Sequence, residues 1–199
     1  MTDTLPSENR PALFLDRDGV INEERDYVHR IEDFMFIEGV FDLCRSAMAA
    51  GMSIVVVTNQ AGIGRGYYSE DQFHALTGWM RDRFSEQDVV IDAVYFCPFH
   101  PDHGIGRYRL DSFDRKPNPG MILRAGDELG LSLGSSILVG DKASDISAAR
   151  AANLGMAVLL APPHVSVLPK PDLQAGSLRE INKLLFELKT GIPTQPRSI

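Results

Sequence analysis

The sequence contains only two cysteines, Cys44 and Cys97, among its 199 residues. Two cysteines cannot form the disulfide framework on which small secreted domains depend, and such a low number is typical of a reducing compartment. The first ten residues, MTDTLPSENR, have neither the basic start nor the apolar segment of a secretory signal. We therefore expect a cytoplasmic protein.

The chain also lacks long apolar runs and dense clusters of positive charge. No run approaches the roughly 20 apolar residues of a membrane-spanning helix, so we expect no membrane partner. The formal net charge is −7, and no lysine- or arginine-rich tract offers the basic surface that binds nucleic acid. A small anionic substrate remains compatible with this charge, because a few local cations are enough to hold it.

Short apolar strands alternate with amphipathic helices along the chain. The predicted strands are ALFL, SIVVVTNQ, IDAVYFC, SILVGD and MAVLLA. The predicted helices are GVFDLCRSAMAAG, SEDQFHALTGWMRDRF, NPGMILRAGDELG, SDISAARAANLG and SLREINKLLFELK. Ser69 with Gln72, and Ser177 with Glu180, have the spacing of a capping box. This alternation predicts an α/β fold with a doubly wound, mainly parallel sheet and helices on both faces.

The length fits a single domain, which we expect at residues 11–190. Residues 1–10 and 191–199 are polar or contain proline, so we expect a disordered N-terminal segment and a flexible C-terminal tail. The interval between Gly19 and Thr58 has room for one loop and one helix, so we expect no large cap domain. The polar segment 98–114 is too long for a plain connection, which indicates a functional or mobile loop.

Polar residues stand at the ends of three predicted strands. Asp16 and Asp18 follow the first strand, Thr58 and Asn59 end the second, and Asp141 ends SILVGD. Taken alone, Asp16 and Asp18 fit an ordinary polar turn as well as a functional site. Ligands of doubly wound sheets bind at the carboxyl ends of the strands, so we expect these residues to converge there.

Four segments together resemble the motifs of the haloacid dehalogenase superfamily of phosphotransferases: FLDRDG, VVVTNQ, RKPNPG and LVGDKASD. Each is weak alone, but their order on matching strands makes the resemblance strong over roughly residues 12–160. DRDGVIN, TNQAGIGRGYYS and RKPNPGM are similar to the histidinol-phosphatase-like branch. Within that branch, DYVHRIEDFMFIEGV and YFCPFHP most resemble the heptose bisphosphate phosphatases.

The resemblance implies Mg²⁺-dependent hydrolysis of a phosphomonoester through an aspartyl-phosphate. Asp16 would attack phosphorus, and Asp18 would serve as general acid and then general base. The side chains of Asp16 and Asp141 and the backbone carbonyl of Asp18 would hold Mg²⁺, which prefers oxygen ligands. Asp145 has two open interpretations, support of the metal site or the N-cap of the following helix.

The phosphate would be held by Thr58 and Lys116, with Arg115 as a second, planar cation. An alternative interpretation of Arg115 and Lys116 is a solvated basic pair. The implied substrate is a small phosphorylated sugar, heptose 1,7-bisphosphate cleaved at the 7-position, in nucleotide-heptose synthesis. The residues expected to contact it are Arg17, Glu24, Arg25, Asp26, Tyr27, Asn59, Gln60, Ala61 and Lys142.

Some of these assignments have alternatives. Glu24 to Tyr27 also fit a plain surface loop. Residues two apart in an extended chain share a face, so the side chain of Arg17 is expected to point away from the two carboxylates. Histidinol-phosphate phosphatase is the nearest alternative function, because it shares the motifs. A polynucleotide 3′-phosphatase or a non-catalytic binding module is less favoured, since the chain has no basic groove and keeps every residue that the chemistry needs.

One expected feature of the family is missing. Many members hold a structural zinc with Cys-x-His and Cys-x-Cys pairs before the lysine motif. Here only Cys97 matches, and Phe99, Ser112 and Asp114 occupy the other three positions. Structural zinc needs thiolate and imidazole ligands, so we expect none in this chain. His100 and His103 are then expected to be surface histidines. We also expect a monomer.

Overall fold

The computed structural model describes residues 9–190, with the side chains of residues 186–190 excepted. The two terminal segments expected to be disordered therefore lie outside the described residues, apart from Asn9 and Arg10. The N–H of Asn9 donates to the carbonyl of Gly130 at 2.8 Å, and Arg10 forms an ion pair with Asp92 at 2.9 Å. The domain thus includes two residues that the prediction assigned to the N-terminal segment.

Six parallel strands form one sheet in the order β3-β2-β1-β4-β5-β6. They are β1 (Ala12–Leu15), β2 (Ser53–Asn59), β3 (Ala93–Cys97), β4 (Ile137–Gly140), β5 (Met156–Leu160) and β6 (Leu173–Ala175). Every residue of β1 and β4 is buried, which explains their uninterrupted apolar sequences. The predicted doubly wound parallel sheet is confirmed. Strand β6 was not predicted, because three residues are too few to show a pattern.

Helices cover both faces of the sheet, as predicted. They are α1 (Val40–Ala49), α2 (Ala61–Gly64), α3 (Glu70–Ser85), α4 (Gly120–Leu129), α5 (Ala143–Ala151) and α6 (Leu178–Thr190). Helices α1, α3 and α6 pack on the face that carries Leu13 and Leu15. Helices α4 and α5 pack on the opposite face, which carries Phe14. Alternate residues of β1 thus enter two separate cores, as the period of a strand requires.

Local capping signals are realised to different degrees. The Ser69–Gln72 capping box at the start of α3 is complete. At the start of α6, the Ser177 hydroxyl accepts the N–H of Glu180 at 3.2 Å. The Glu180 carboxylate, however, accepts from the N–H of Gly176 rather than from Ser177. The second predicted box is therefore only half formed.

The connections after β1, β2 and β3 lie at the carboxyl edge of the sheet. Segment 98–114 packs against α2, where the N–H of Ile105 donates to the carbonyl of Gly64 at 2.8 Å. Within the segment, the N–H of His100 donates to the carbonyl of Tyr108 at 3.1 Å. None of the helices in the described part of the chain has the length and apolar character that crossing a bilayer requires.

Candidate active site

A cavity of about 470 Å³ opens at the carboxyl ends of β1, β2 and β4. The predicted residues that line it are Asp16, Asp18, Glu24, Asp26, Tyr27, Asn59, Gln60, Ala61, Arg115, Lys116 and Lys142. Four further residues line it that the sequence analysis did not assign to the site: Arg65, Tyr68, His100 and Ser144. Strand β1 pairs with β2 on one side and β4 on the other. This strand order brings residues distant in sequence to one edge.

Asp16 lies directly after β1 and is only 6% exposed. Its Oδ1 accepts the backbone N–H of Arg17 at 2.7 Å, and its Oδ2 lies 2.9 Å from Nζ of Lys116. Burial raises the pKa of Asp16 most strongly; Lys116 opposes this and the charges of Asp145 and Asp141 add to it, which leaves a pKa of about 7. The two contacts thus fix the orientation of the carboxylate. Its negative charge costs free energy in this buried position unless a positive charge lies beside it.

Lys116 supplies one such positive charge. Its Nζ contacts Asp16 at 2.9 Å and Asp145 at 2.6 Å, and it donates to the carbonyl of Val57 at 2.9 Å. Burial by itself would lower the pKa of Lys116, but Asp145 and Asp16 outweigh burial and raise it. The side-chain amide of Asn59 bonds both backbone polar groups of Lys116, at 2.9 and 3.0 Å. Lys116 is therefore a buried ion-pair partner, and the solvated alternative is wrong for it.

A third carboxylate, Asp141, follows β4 beside the cavity. Oxygens of Asp16, Asp141 and Asp145 all lie within 4.8 Å of one another. Burial raises the pKa of Asp141, against Lys142 and together with Asp145, to about 6. Gly19, at a φ of 89°, allows this approach, because a Cβ there would lie 2.3 Å from Oδ2 of Asp141. Three crowded carboxylates beside one lysine form an acidic site suited to a cation.

The two oxygens of Asp18 have different partners. Oδ1 accepts from Nη2 and Nε of Arg17 at 2.8 and 3.2 Å and from Nδ2 of Asn22 at 3.0 Å. Oδ2 accepts from Nε2 of Gln60 at 3.0 Å. Asp18 is thus held on both sides by N–H donors.

Three expectations about side chains need correction. Arg17 does not point away from the carboxylates, because β1 ends at Leu15 and the alternation of an extended chain ends with it. Its guanidinium is buried, holds Asp18 and donates to the carbonyl of Val28 at 2.6 Å, so it does not line the cavity. Arg25 does not line it either, and pairs in solvent with Glu23 at 2.7 Å. The N-cap interpretation of Asp145 is wrong.

Asp145 is the third residue of α5, and its side chain reaches back to the start of the helix. Oδ2 accepts the backbone N–H of Lys142 at 2.9 Å, while Oδ1 holds Lys116. Thr58 is likewise buried behind the cavity wall, where its Oγ1 accepts from Nε2 of Gln60 at 2.8 Å. Both residues thus contact the groups that line the site.

One wall of the cavity comes from the loop after β1. Asp26 and Tyr27 have φ values of 41° and 62°, in the left-handed region that costs a non-glycine residue about 1 kcal/mol or more. Glu24 pairs with Lys142 at 2.6 Å across the opening, and Lys142 lies 3.7 Å from Asp141. The Glu24–Lys142 pair is half exposed, so its contribution to stability is small. Glu24, Asp26 and Tyr27 thus line the cavity from a loop in which Glu24 and Asp26 are exposed.

A basic cluster, formed by Arg65, His100 and Arg115, also lines the cavity, and the guanidinium of Arg65 lies 5.8 Å from the centroid of the Tyr27 ring. Burial lowers the pKa of His100 first, followed by the charges of Arg115, His103 and Arg65. Burial likewise lowers the pKa of Arg115, with Arg65 adding to it. Among the described residues, no carboxylate forms an ion pair with Arg65 or Arg115 within 4 Å. The positive charge of the cluster is thus that of the two guanidinium groups, which no described carboxylate neutralises.

The sequence offered a signal for Arg65, which lies inside the motif TNQAGIGRGYYS. His100 lies inside the segment YFCPFHP, which resembles the family, but it was expected only as a surface histidine; it is partly buried and lines the cavity. Only the return of segment 98–114 against α2 places it there. His103, in contrast, is exposed as expected.

The positions of the expected zinc ligands do not form a zinc site. The thiol of Cys97 is buried, and its Sγ lies 4.0 Å from the backbone carbonyl of Phe99. Asp114 forms an ion pair with Arg124 at 2.8 Å, and its backbone N–H donates to the Ser112 hydroxyl at 3.2 Å. Hydrogen bonds and an ion pair thus connect these positions, and the donor set does not fit four-coordinate zinc.

The chain resembles proteins of known activity. A family model described as HAD-hydrolase-like matches residues 113–161. The chain is 58% identical over 149 residues to a D-glycero-alpha-D-manno-heptose-1,7-bisphosphate 7-phosphatase of Burkholderia mallei, covering 75% of this chain and 79% of that protein. It is 49% identical over 151 residues to a D-glycero-beta-D-manno-heptose-1,7-bisphosphate 7-phosphatase of Vibrio cholerae, covering 76% and 81%.

Solved structures share the fold. A HAD-like phosphatase from Mesorhizobium loti has a TM-score of 0.82 and 33% identity, covering 98% of this chain and 94% of that one. A D,D-heptose 1,7-bisphosphate phosphatase from B. bronchiseptica, complexed with magnesium and phosphate, has a TM-score of 0.76 and 25% identity, covering 89% and 99%. The site geometry and these similarities agree: the chain is a phosphatase of the haloacid-dehalogenase-like superfamily and belongs to the family of the heptose-1,7-bisphosphate 7-phosphatases.

Proposed function

We propose that this phosphatase removes the 7-phosphate of D-glycero-D-manno-heptose 1,7-bisphosphate, with Mg²⁺ bound beside the nucleophile. The observation that carries the substrate is a second set of positive charges in the cavity. Lys116 lies beside Asp16, and Arg65 and Arg115 of the basic cluster line the same cavity. A sugar with two phosphates would place one beside Asp16 and Lys116 and the other beside the basic cluster.

The basic cluster distinguishes this substrate from the nearest alternative. Histidinol phosphate carries an ammonium group at the end remote from its phosphate, and Arg65 and Arg115 would repel it. A second phosphate would instead receive charge-assisted hydrogen bonds from the two guanidinium groups. The carboxylate of Asp26 also lines the cavity and is able to bond a sugar hydroxyl.

The chemistry would follow from the contacts of Asp16 and Asp18. An oxygen of Asp16 attacks phosphorus, and the bond from phosphorus to the sugar oxygen breaks while Asp18 gives that oxygen its proton. Asp18 then takes a proton from a water molecule, whose oxygen attacks the aspartyl-phosphate and regenerates Asp16. Lys116 keeps Asp16 aligned and neutralises part of the charge.

The carboxylates fit Mg²⁺, a cation that prefers oxygen ligands. Asp16 and Asp141 would hold it with their side chains and Asp18 with its backbone carbonyl. Among the described residues, the buried Oδ1 of Asp141 has no hydrogen-bond partner, which leaves it available to a cation. Asp145 would support the site beside these ligands, because its Oδ1 lies 2.6 Å from Nζ of Lys116 and its Oδ2 accepts the N–H of Lys142. When bound, Mg²⁺ would offset the repulsion between the phosphate and the carboxylates.

Gly19→Ala tests the cation site. Its Cβ would collide with Oδ2 of Asp141, so we expect the Mg²⁺ concentration for half-maximal activity to rise at least about tenfold. The left-handed backbone adds about 1–3 kcal/mol of destabilisation. Phosphate release across a Mg²⁺ titration, with urea unfolding alongside, measures both effects.

Gly51→Ala is the matched control, because Gly51 has a φ of 78° and no atom within 4 Å of its would-be Cβ. It should lose similar stability and keep the Mg²⁺ requirement of the wild type. Equal Mg²⁺ requirements for the two variants would contradict the assigned site.

Arg65→Gln tests the substrate. We expect kcat/KM to fall about 10- to 100-fold for heptose 1,7-bisphosphate, the loss expected for hydrogen bonds between charged groups, and less than about threefold for heptose 7-phosphate. The wild type should prefer the bisphosphate over histidinol phosphate at least about tenfold. Both anomers are assayed, since relatives named for each exist.

Arg25→Gln is its matched control. It removes the same charge from a residue near the opening that does not line the cavity, and it should leave both kcat/KM values within about twofold. A loss in Arg65→Gln that is equal for the bisphosphate and the monophosphate would refute the second phosphate position. A preference for histidinol phosphate would overturn the substrate and keep the phosphatase chemistry.

A further inference from the structure

The side-chain amide of Gln60 connects three groups behind the cavity. Its Nε2 donates to Oδ2 of Asp18 at 3.0 Å and to Oγ1 of Thr58 at 2.8 Å. Its Oε1 accepts from the hydroxyl of Tyr68 at 2.5 Å. The nitrogen of the amide thus faces Asp18, and its oxygen faces Tyr68.

Tyr68 is therefore the donor that fixes this orientation. Burial raises the pKa of Tyr68 above its ordinary value, so the hydroxyl keeps its proton at neutral pH. No other contact of Oε1 occurs among the described residues. Without the hydroxyl, the amide would lose the partner that distinguishes its two ends.

The ring of Tyr68 is held in place by its surroundings. It stacks on His29 with ring centroids 5.0 Å apart and planes 2° apart, and it packs with Ile63 and Phe73. On α2, a Cβ at Gly62 would lie only 2.3 Å from Cε1 of Tyr68. Close packing thus holds the ring of Tyr68, and with it the hydroxyl, in one position.

The contacts of Asp18 leave Oδ2 as the oxygen with fewer hydrogen-bond donors. Oδ1 accepts three N–H groups, two from Arg17 and one from Asn22, which leaves no room for a proton. Oδ2 accepts only from Gln60. A general acid transfers its proton efficiently only when that oxygen is aligned with the leaving group.

We propose that Tyr68 is a positioning residue for acid–base catalysis: its hydroxyl orients the amide of Gln60, which in turn aims Oδ2 of Asp18 at the leaving oxygen of the substrate. This inference rests on the proposed role of Asp18. Tyr68 does not itself need to touch the reacting atoms.

Tyr68→Phe tests the inference with two phosphate esters that differ in leaving group. A sugar alkoxide needs a proton to leave, whereas p-nitrophenolate is a weak base and leaves without one. We expect kcat/KM to fall about tenfold or more for heptose 1,7-bisphosphate and less than about twofold for p-nitrophenyl phosphate. A general loss of structure would slow both esters alike.

Tyr67→Phe is the control, because Tyr67 is the neighbouring, exposed tyrosine and does not line the cavity. It should leave both reactions within about twofold. In a Gln60→Ala background, Tyr68→Phe should add no further loss, since it acts through that amide. Gln60→Ala alone should show the same selective loss, which keeps the inference testable if Tyr68→Phe does not fold.

Asp18→Asn separates failure of this inference from failure of the proposed function. If Asp18→Asn is selective for the sugar ester but Tyr68→Phe and Gln60→Ala are not, positioning by Tyr68 is wrong and the acid role stands. If Asp18→Asn slows both esters equally, the acid role itself fails and the inference falls with it. Additive losses from Tyr68→Phe and Gln60→Ala would also overturn the inference.

Discussion

Asp16→Asn abolishes turnover, with an expected fall in kcat of at least about 10³-fold, because no other carboxylate is placed to replace the nucleophile. Asp141 and Asp145 are near, but Asp145 is engaged with Lys116 and the N–H of Lys142. Gly19 holds the backbone after Asp16 close against Asp141. Phosphate release from the bisphosphate measures the loss.

The same substitution also lowers the stability of the folded state. Asp16 is surrounded by two donors, the N–H of Arg17 and Nζ of Lys116. Asparagine has a single acceptor oxygen, so its amide nitrogen must face one of these donors. We expect a loss of about 1–3 kcal/mol in the free energy of unfolding, measured in urea.

Asp16→Glu provides the comparison, because it keeps the charge and moves the carboxylate by about one bond. Such a displacement costs about 10²-fold, which places this variant between wild type and Asp16→Asn. Acid-quenched wild type should carry one phosphoryl group on the peptide that contains Asp16. Activity of Asp16→Asn within tenfold of wild type, or phosphorylation of another peptide, would contradict the assigned nucleophile.

Lys116→Met lowers both activity and stability. Lys116 is 3% exposed and neutralises the buried carboxylates of Asp16 and Asp145. Removing one partner of a buried ion pair costs about 3–5 kcal/mol, because the charges left behind are unpaired. We expect this loss in urea unfolding, and a fall in kcat of about 10²- to 10³-fold from the missing positive charge.

Lys142→Met and a double variant separate the two effects. Lys142 is half exposed where it pairs with Glu24, so its replacement should change stability by no more than about 1 kcal/mol. Lys116→Met combined with Asp145→Asn should regain part of the stability and none of the activity, because it removes one unpaired charge and restores no cation. Equal stability of Lys116→Met and wild type would show that the buried ion pairs contribute nothing net.

The core of the fold was predictable from local sequence. Strands such as β1 and β4 are buried on both faces, so they appear as uninterrupted apolar runs, and the polar residues after them mark the edge where ligands bind. Elements with few residues escaped prediction: α2 has four residues and β6 has three. Neither is long enough to show a helical or strand period.

Side-chain directions near the ends of strands were less predictable. The direction expected for Arg17 assumed an extended chain, but the turn at Gly19 brings its guanidinium to Asp18. The role of Asp145 could not be predicted from its own segment, because its partner Lys116 is distant in sequence and adjacent in space. Local pattern gives no information about such partners.

The sequence by itself determined the type of chemistry through a resemblance, because the four segments that contain Asp16 and Asp18, Thr58, Lys116 and Asp141 are similar to the motifs of the haloacid dehalogenase superfamily. The apolar strands before the aspartates placed these carboxylates at one sheet edge. Only the tertiary structure showed that Arg65, His100 and Arg115 line one cavity and that Gln60 connects Tyr68 to Asp18. These residues come from the loop after β1, from the region of α2 and from segments 98–114 and 115–116. Contacts between separate segments depend on how the chain packs, and no period in the sequence records them.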